Sequence, residues 1–69
     1  MAENIELTVQ ERAENKLLND AIAYAAAMHR SGLRKGTTMP YIVHPLEVMH
    51  ILEVMTGDKH LMAAGVLHD

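Results

Sequence analysis

Leu17-Leu18-Asn19-Asp20-Ala21-Ile22-Ala23-Tyr24-Ala25-Ala26-Ala27-Met28-His29-Arg30 is the stretch on which the fold turns. Leu18, Ile22, Ala25 and His29 share one stripe at helical spacing, and Leu17, Ala21, Tyr24 and Met28 lie beside it. The alanines at 21, 23, 25, 26 and 27 favour helix and let a neighbouring element approach closely. A first helix is therefore predicted from Glu11 to Arg30, with Ser31-Gly32 as its stop. The longest apolar run, Ala21 to Met28, is eight residues, well short of the ~20 that cross a bilayer.

Outward from that helix the chain changes character. Residues 31–43 contain Gly32, Gly36, two threonines and Pro40, the composition of a loop. Tyr41-Ile42-Val43 is apolar but too brief to make a sheet alone. His44-Pro45 opens a second helix, with proline suited to the first helical position and His44 expected at the N-cap. Leu46, Met49, Ile51, Leu52 and Met55 give it an apolar side as far as Thr56, and Gly57 stops it. Asp58 caps a third helix over residues 59–69, in which Leu61, Ala64, Gly65 and His68 are expected to share a face. No stop signal follows Leu67-His68-Asp69, and two acidic groups would sit at the negative end of the helix dipole. The expectation is an all-α fold of three helices that forms the front of a larger bundle, or one completed by a partner chain.

Composition narrows the function classes. Sixty-nine residues allow one small domain. The chain is 49% hydrophobic but has only two aromatic residues, Tyr24 and Tyr41, so its core must be Leu, Ile, Val, Met and Ala. Such a core is thin for a lone monomer, which leaves homo-oligomerisation open. The absence of cysteine excludes disulfides and thiolate metal sites and favours an intracellular setting. The first residues are acidic and polar, unlike a signal peptide, so a flexible N-terminus over residues 1–10 and a cytoplasmic protein are expected. No membrane association is expected.

A net charge of -3 argues against a nucleic-acid partner. The charge is uneven: residues 21–46 hold Arg30, Arg34 and Lys35 with no acid, between two acidic segments. A basic island in an acidic chain suits a small anionic ligand better than a polyanion. On charge alone, a solvated loop is the simpler explanation.

Five histidines stand in the chain. Imidazole and carboxylate are good ligands for first-row divalent metals, which draws attention to His68-Asp69. An isolated doublet of this kind is ordinarily just solvated side chains. His44, at a helix start, offers a third donor from another element, or else a simple N-cap. His29, on the apolar side of the first helix, reads as a packed or hydrogen-bonded residue rather than a ligand. His50 and His60 read as surface residues, and the six methionines as core filler. No Gly-x-Ser-x-Gly, phosphate-loop or His-Glu-x-x-His motif occurs.

Taken together, Arg34-Lys35-Gly36-Thr37-x-x-Pro40-Tyr41-Ile42-Val43-His44-Pro45-Leu46, then Gly65-Val66-Leu67-His68-Asp69 with His68 twenty-four residues after His44, resembles the HD-superfamily hydrolase domain of the RelA/SpoT type. It is especially similar to the small single-domain bacterial alarmone hydrolases. Ala25-x-x-Met28-His29-Arg30 fits the same pattern, and the resemblance covers about residues 17–69. It implies a helical domain that holds one divalent ion, usually manganese, with iron or zinc as alternatives. It also implies a stringent-response hydrolase that removes pyrophosphate from the 3′ position of guanosine tetra- and pentaphosphate. Carried over by position, His44, His68 and Asp69 would be metal ligands, and Arg34 and Lys35 would contact the nucleotide. The family's Glu-Asp pair and a later Asp ligand have no counterpart among these residues. Residues 11–69 are therefore expected to be a truncated HD hydrolase domain, poorly active alone. The alternatives are an inactive helical module that completes its core by self-association, and an HD-type phosphohydrolase acting on other nucleotides.

Overall fold

The computed structural model describes residues 6–68. It contains three helices, α1 (Val9–Met28), α2 (Val43–Met55) and α3 (Lys59–Leu67). The only extended pairing among the described residues is a single antiparallel bridge between Leu33 and Pro40 in the α1–α2 loop. The all-α class is thus as expected.

Helix α1 begins two residues before the expected Glu11. Thr8 and Glu11 form a reciprocal capping box: the Glu11 N–H donates to Thr8 Oγ1 at 3.0 Å, and the Thr8 N–H donates to Glu11 Oε1 at 2.9 Å. The Thr8 backbone N–H, and then its hydroxyl, hold the Glu11 carboxyl below its ordinary pKa. The helix ends at Met28 with His29 as C-cap, ahead of the predicted stop at Ser31-Gly32. Gly32 is not in the left-handed region and instead donates its N–H to the His29 carbonyl at 3.0 Å. Gly57 is left-handed (φ 64°) and donates to the Glu53 carbonyl, which closes α2 as predicted. Asp58 caps α3 as predicted, its carboxylate accepting from the N–H groups of His60 and Leu61.

Helix α3 is the middle element and packs on both of the others. It runs antiparallel to α2 across the tight turn at Gly57-Asp58. Gly65 allows that approach, since a Cβ there would lie 2.6 Å from Leu52 Cδ1 and 3.4 Å from Val48 Cγ1. Against α1 it runs parallel. Near its start, Lys59 Nζ donates to Asn15 Oδ1 at 2.5 Å and His60 Nε2 lies 3.6 Å from Glu14 Oε2. Near its end, Val66 and Leu67 share a small cavity with Ala25, Met28 and His29.

The core is Ala21, Ala25, Ala63 and Val66, with Leu18, Ile22, Ile42, Leu46 and Met49 packed around it. Small residues at its centre are what let the three helices meet. The buried residues of α3 are Met62, Ala63 and Val66, which lie beside the face shared by Leu61, Ala64, Gly65 and His68. Only Gly65 of that set faces a neighbour. A helix held between two others buries a broad arc, and that face lies mostly off it. On α2, Ile51 and Met55 are likewise exposed, where an inward position was expected.

Candidate functional site

Parallel α1–α3 packing and the antiparallel α2–α3 hairpin have a joint consequence. The C-terminal end of α1, the N-terminal end of α2 and the C-terminal end of α3 all come to one end of the bundle. His29, His44 and His68 belong to these three termini.

The α2 terminus differs from the expectation. Its N-cap is Ile42, without a side-chain cap, and His44 is the second helical residue. The chain enters through tight turns, with the Val43 N–H donating to the Pro40 carbonyl at 3.2 Å and the His44 N–H to the Tyr41 carbonyl at 3.0 Å. Pro45 therefore sits third rather than first. That position is still in the first turn, where a missing N–H costs no helical bond. His44 is half-buried, and the Tyr41 ring lies 5.9 Å away, edge-on at 62°. Tyr41 also meets His29, with ring centroids 4.6 Å apart. His29 is thus a packed histidine, as its position on the apolar side implied. Tyr41, in contact with two imidazoles, was missed by sequence reasoning, although its place three residues before His44 was a usable signal.

His68 is exposed and is the C-cap of α3, with extended backbone (φ -59°, ψ 131°). The helical geometry expected to run through the doublet stops at Leu67. Asp69 lies outside the described residues.

The basic residues sit on the α1–α2 loop. Arg34 donates its N–H to the Met39 carbonyl at 2.9 Å, beside the Leu33–Pro40 bridge. Thr37 closes the tip: its hydroxyl donates to the Arg34 carbonyl and accepts from the Met39 N–H. Gly36, with φ 77°, makes the reversal possible. Arg34, Lys35, Thr37, Thr38 and Met39 line an open cavity of about 550 Å³. Lys35 is exposed, whereas Arg34 is half-buried and paired through Nη1 with Glu47 Oε1 at 3.2 Å. Glu47 was not singled out from the sequence, though it stands one helical turn after His44.

His50 and His60 are exposed, as expected. His50 pairs with Glu53 on the outer side of α2, and His60 faces Glu14 at the opposite end of the molecule.

The HD domain family matches residues 21–69, most of the chain. The chain belongs to the HD domain family. This HD domain is 42% identical over 53 residues to a GTP pyrophosphokinase of Myxococcus xanthus, and 45% identical over 53 residues to one of Brucella melitensis. It is 39% identical over 57 residues to a probable guanosine-3′,5′-bis(diphosphate) 3′-pyrophosphohydrolase of Synechocystis. These matches cover 77–83% of the chain but only about 7% of each relative. The RelA/SpoT-type resemblance read from the sequence is borne out by these relatives. No solved structure matches.

For a metal, the donor chemistry of the HD domain's His44 and His68 is suitable for iron or zinc, which imidazole favours, whereas manganese favours oxygen donors such as a carboxylate. Among the described residues, no three His, Asp or Glu side chains are grouped closely enough to hold an ion. Asp69, the third candidate donor read from the sequence, lies outside the described residues. No helix among the described residues is long and apolar enough to cross a membrane.

Proposed function

We propose that this HD domain carries the metal- and nucleotide-binding residues of a manganese-dependent 3′-pyrophosphohydrolase acting on guanosine 3′,5′-bis(diphosphate). What supports this reading is the meeting of three helix termini at one end of the bundle, which brings the elements bearing His44 and His68 together there.

In this reading His44, His68 and Asp69 hold the ion, with iron or zinc as alternatives to manganese. When bound, such an ion supplies Lewis acidity toward a phosphate and a water of lowered pKa. Arg34 and Lys35 hold the nucleotide through charge-assisted hydrogen bonds, Arg34 offering a planar fork and Lys35 a point charge. Tyr41 packs against His29 and His44 and limits how the His44 ring can turn. No acid–base pair is assigned among the described residues, so the reading is tested by binding.

Manganese-dependent binding of guanosine tetraphosphate, followed calorimetrically, tests the reading. Binding should require manganese, and His68→Ala should abolish metal retention while His50→Ala keeps it. Equal manganese retention in both variants would retire the metal assignment.

A second reading is an inactive helical module that completes its core with a second copy. It is favoured by the large apolar side chains left exposed along the α1–α3 groove, Leu17, Tyr24, Met28 and Leu67. Sedimentation velocity across a range of concentrations distinguishes it: a concentration-dependent dimer without nucleotide binding would replace the first reading.

A further inference from the structure

We propose that Glu47 is a positioning residue that fixes the Arg34 guanidinium relative to His44. This inference rests on the nucleotide-binding reading of Arg34 given above.

The Arg34 backbone is already held by its bond to Met39 and by the Thr37 hydroxyl. Its side chain is long, and the side-chain hydrogen bond identified for it among the described residues is not to the loop. That contact comes from another element: Glu47 Oε1 on α2 accepts from Arg34 Nη1 at 3.2 Å, across thirteen residues of sequence. Glu47 is three residues after His44 on the same helix, so the two side chains are neighbours on its surface. One carboxylate thereby ties the basic loop to the helical turn that carries His44. A nucleotide held by Arg34 is then held at a set distance from whatever His44 binds.

The contact is a single one. It leaves Arg34 Nη2 and Nε, and the second hydrogen on Nη1, as donors for a phosphate or a base. The pair is reached by solvent, with side-chain accessibilities of 39% at the half-buried Arg34 and 55% at the exposed Glu47. A pair this wet adds little to folding stability. Orientation is therefore its main effect. Against this stands the Glu47 charge, which opposes an incoming anion. A Gln at 47 keeps the acceptor oxygen and removes the charge, so it separates the two effects.

The test uses the full chain with Glu47→Ala, Glu47→Gln, Arg34→Ala and the Arg34→Ala/Glu47→Ala double variant. Order of the Arg34 Nε–H is read by ¹⁵N relaxation, and guanosine tetraphosphate affinity by calorimetry with manganese present. Glu47→Ala should mobilise Arg34 and weaken nucleotide binding about fivefold, the scale of one exposed ion pair. Glu47→Gln should retain affinity within about twofold, because its amide oxygen still accepts from a charged donor. In the Arg34→Ala background the Glu47→Ala effect should vanish, and manganese affinity and thermal midpoint should be unchanged throughout. Unaltered Arg34 order in Glu47→Ala, tighter nucleotide binding in that variant, or the same loss without Arg34 would each overturn the proposal. If the unmodified chain binds no nucleotide, the functional reading fails, and the relaxation data still decide whether Glu47 positions Arg34.

Discussion

The two ends of this helical bundle are built by different rules. At the end holding the α1 N-terminus and the α2–α3 turn, every terminus is closed by its own side chains or by glycine. Thr8 and Glu11 cap α1, Gly57 ends α2 and Asp58 starts α3. Polar side chains then cross between helices, from Lys59 to Asn15 and from His60 to Glu14. At the opposite end these devices are missing. Helix α2 starts without a side-chain cap, and neither α1 nor α3 has a basic residue in its last turn. Histidines and Tyr41 stand there instead. Local sequence–structure agreement is kept where only stability is at issue and relaxed where binding is proposed.

If the contrast is sound, substitutions divide by location. The largest effect belongs to the core that both ends share. Val66 is fully buried, and Val66→Ala should cost about 2 kcal/mol, read as a shift in urea midpoint with unchanged slope. At the capped end, Asp58→Ala removes the oxygen that accepts from two α3 N–H groups and should cost about 1 kcal/mol, with manganese binding untouched. A loss of binding comparable to that of His68→Ala would break the division.

The Glu11 box sets a pH test. Its folded pKa lies below the ordinary value, so its contribution is complete above that value and is lost as pH falls through the lowered one. Acid should therefore loosen the first turn of α1, seen as faster amide exchange at Glu11, and Glu11→Gln, which has no titrating carboxyl, should remove that dependence. The smallest effect is expected from His68→Ala on stability. His68 is exposed and makes no side-chain hydrogen bond identified among the described residues, so the variant's unfolding free energy should stay within about 0.5 kcal/mol of the parent chain. A large destabilisation would mean that the site end is structural after all.

The capped end was largely legible in the sequence, because caps act over three or four residues. Asp58 and Gly57 were read correctly, and Thr8-x-x-Glu11 carried the capping-box signature although it was passed over. The site end was legible only in part. The loop signature with His44 and the His68-Asp69 doublet pointed to the HD domain family, which matches residues 21–69. The local geometry did not follow. His44 was expected at the cap because Pro45 favours the first helical position, but the turns through Tyr41 and Ile42 start the helix earlier. Which residues α3 buries was not legible, because α3 packs on two neighbours and buries Met62, Ala63 and Val66 between them. The Arg34–Glu47 pair spans two elements, so only the tertiary arrangement reveals it.

The placing of Tyr41 gives the protein an optical handle of its own. With no Trp and only two Tyr, its near-ultraviolet signal comes almost wholly from two phenols. Tyr24 is 61% exposed and will report bulk solvent. Tyr41 sits against the rings of both His29 and His44, so a change in either imidazole's protonation or occupancy perturbs that chromophore directly. Difference absorbance on the unlabelled chain can therefore follow events at one end of the bundle while the other stays spectroscopically silent.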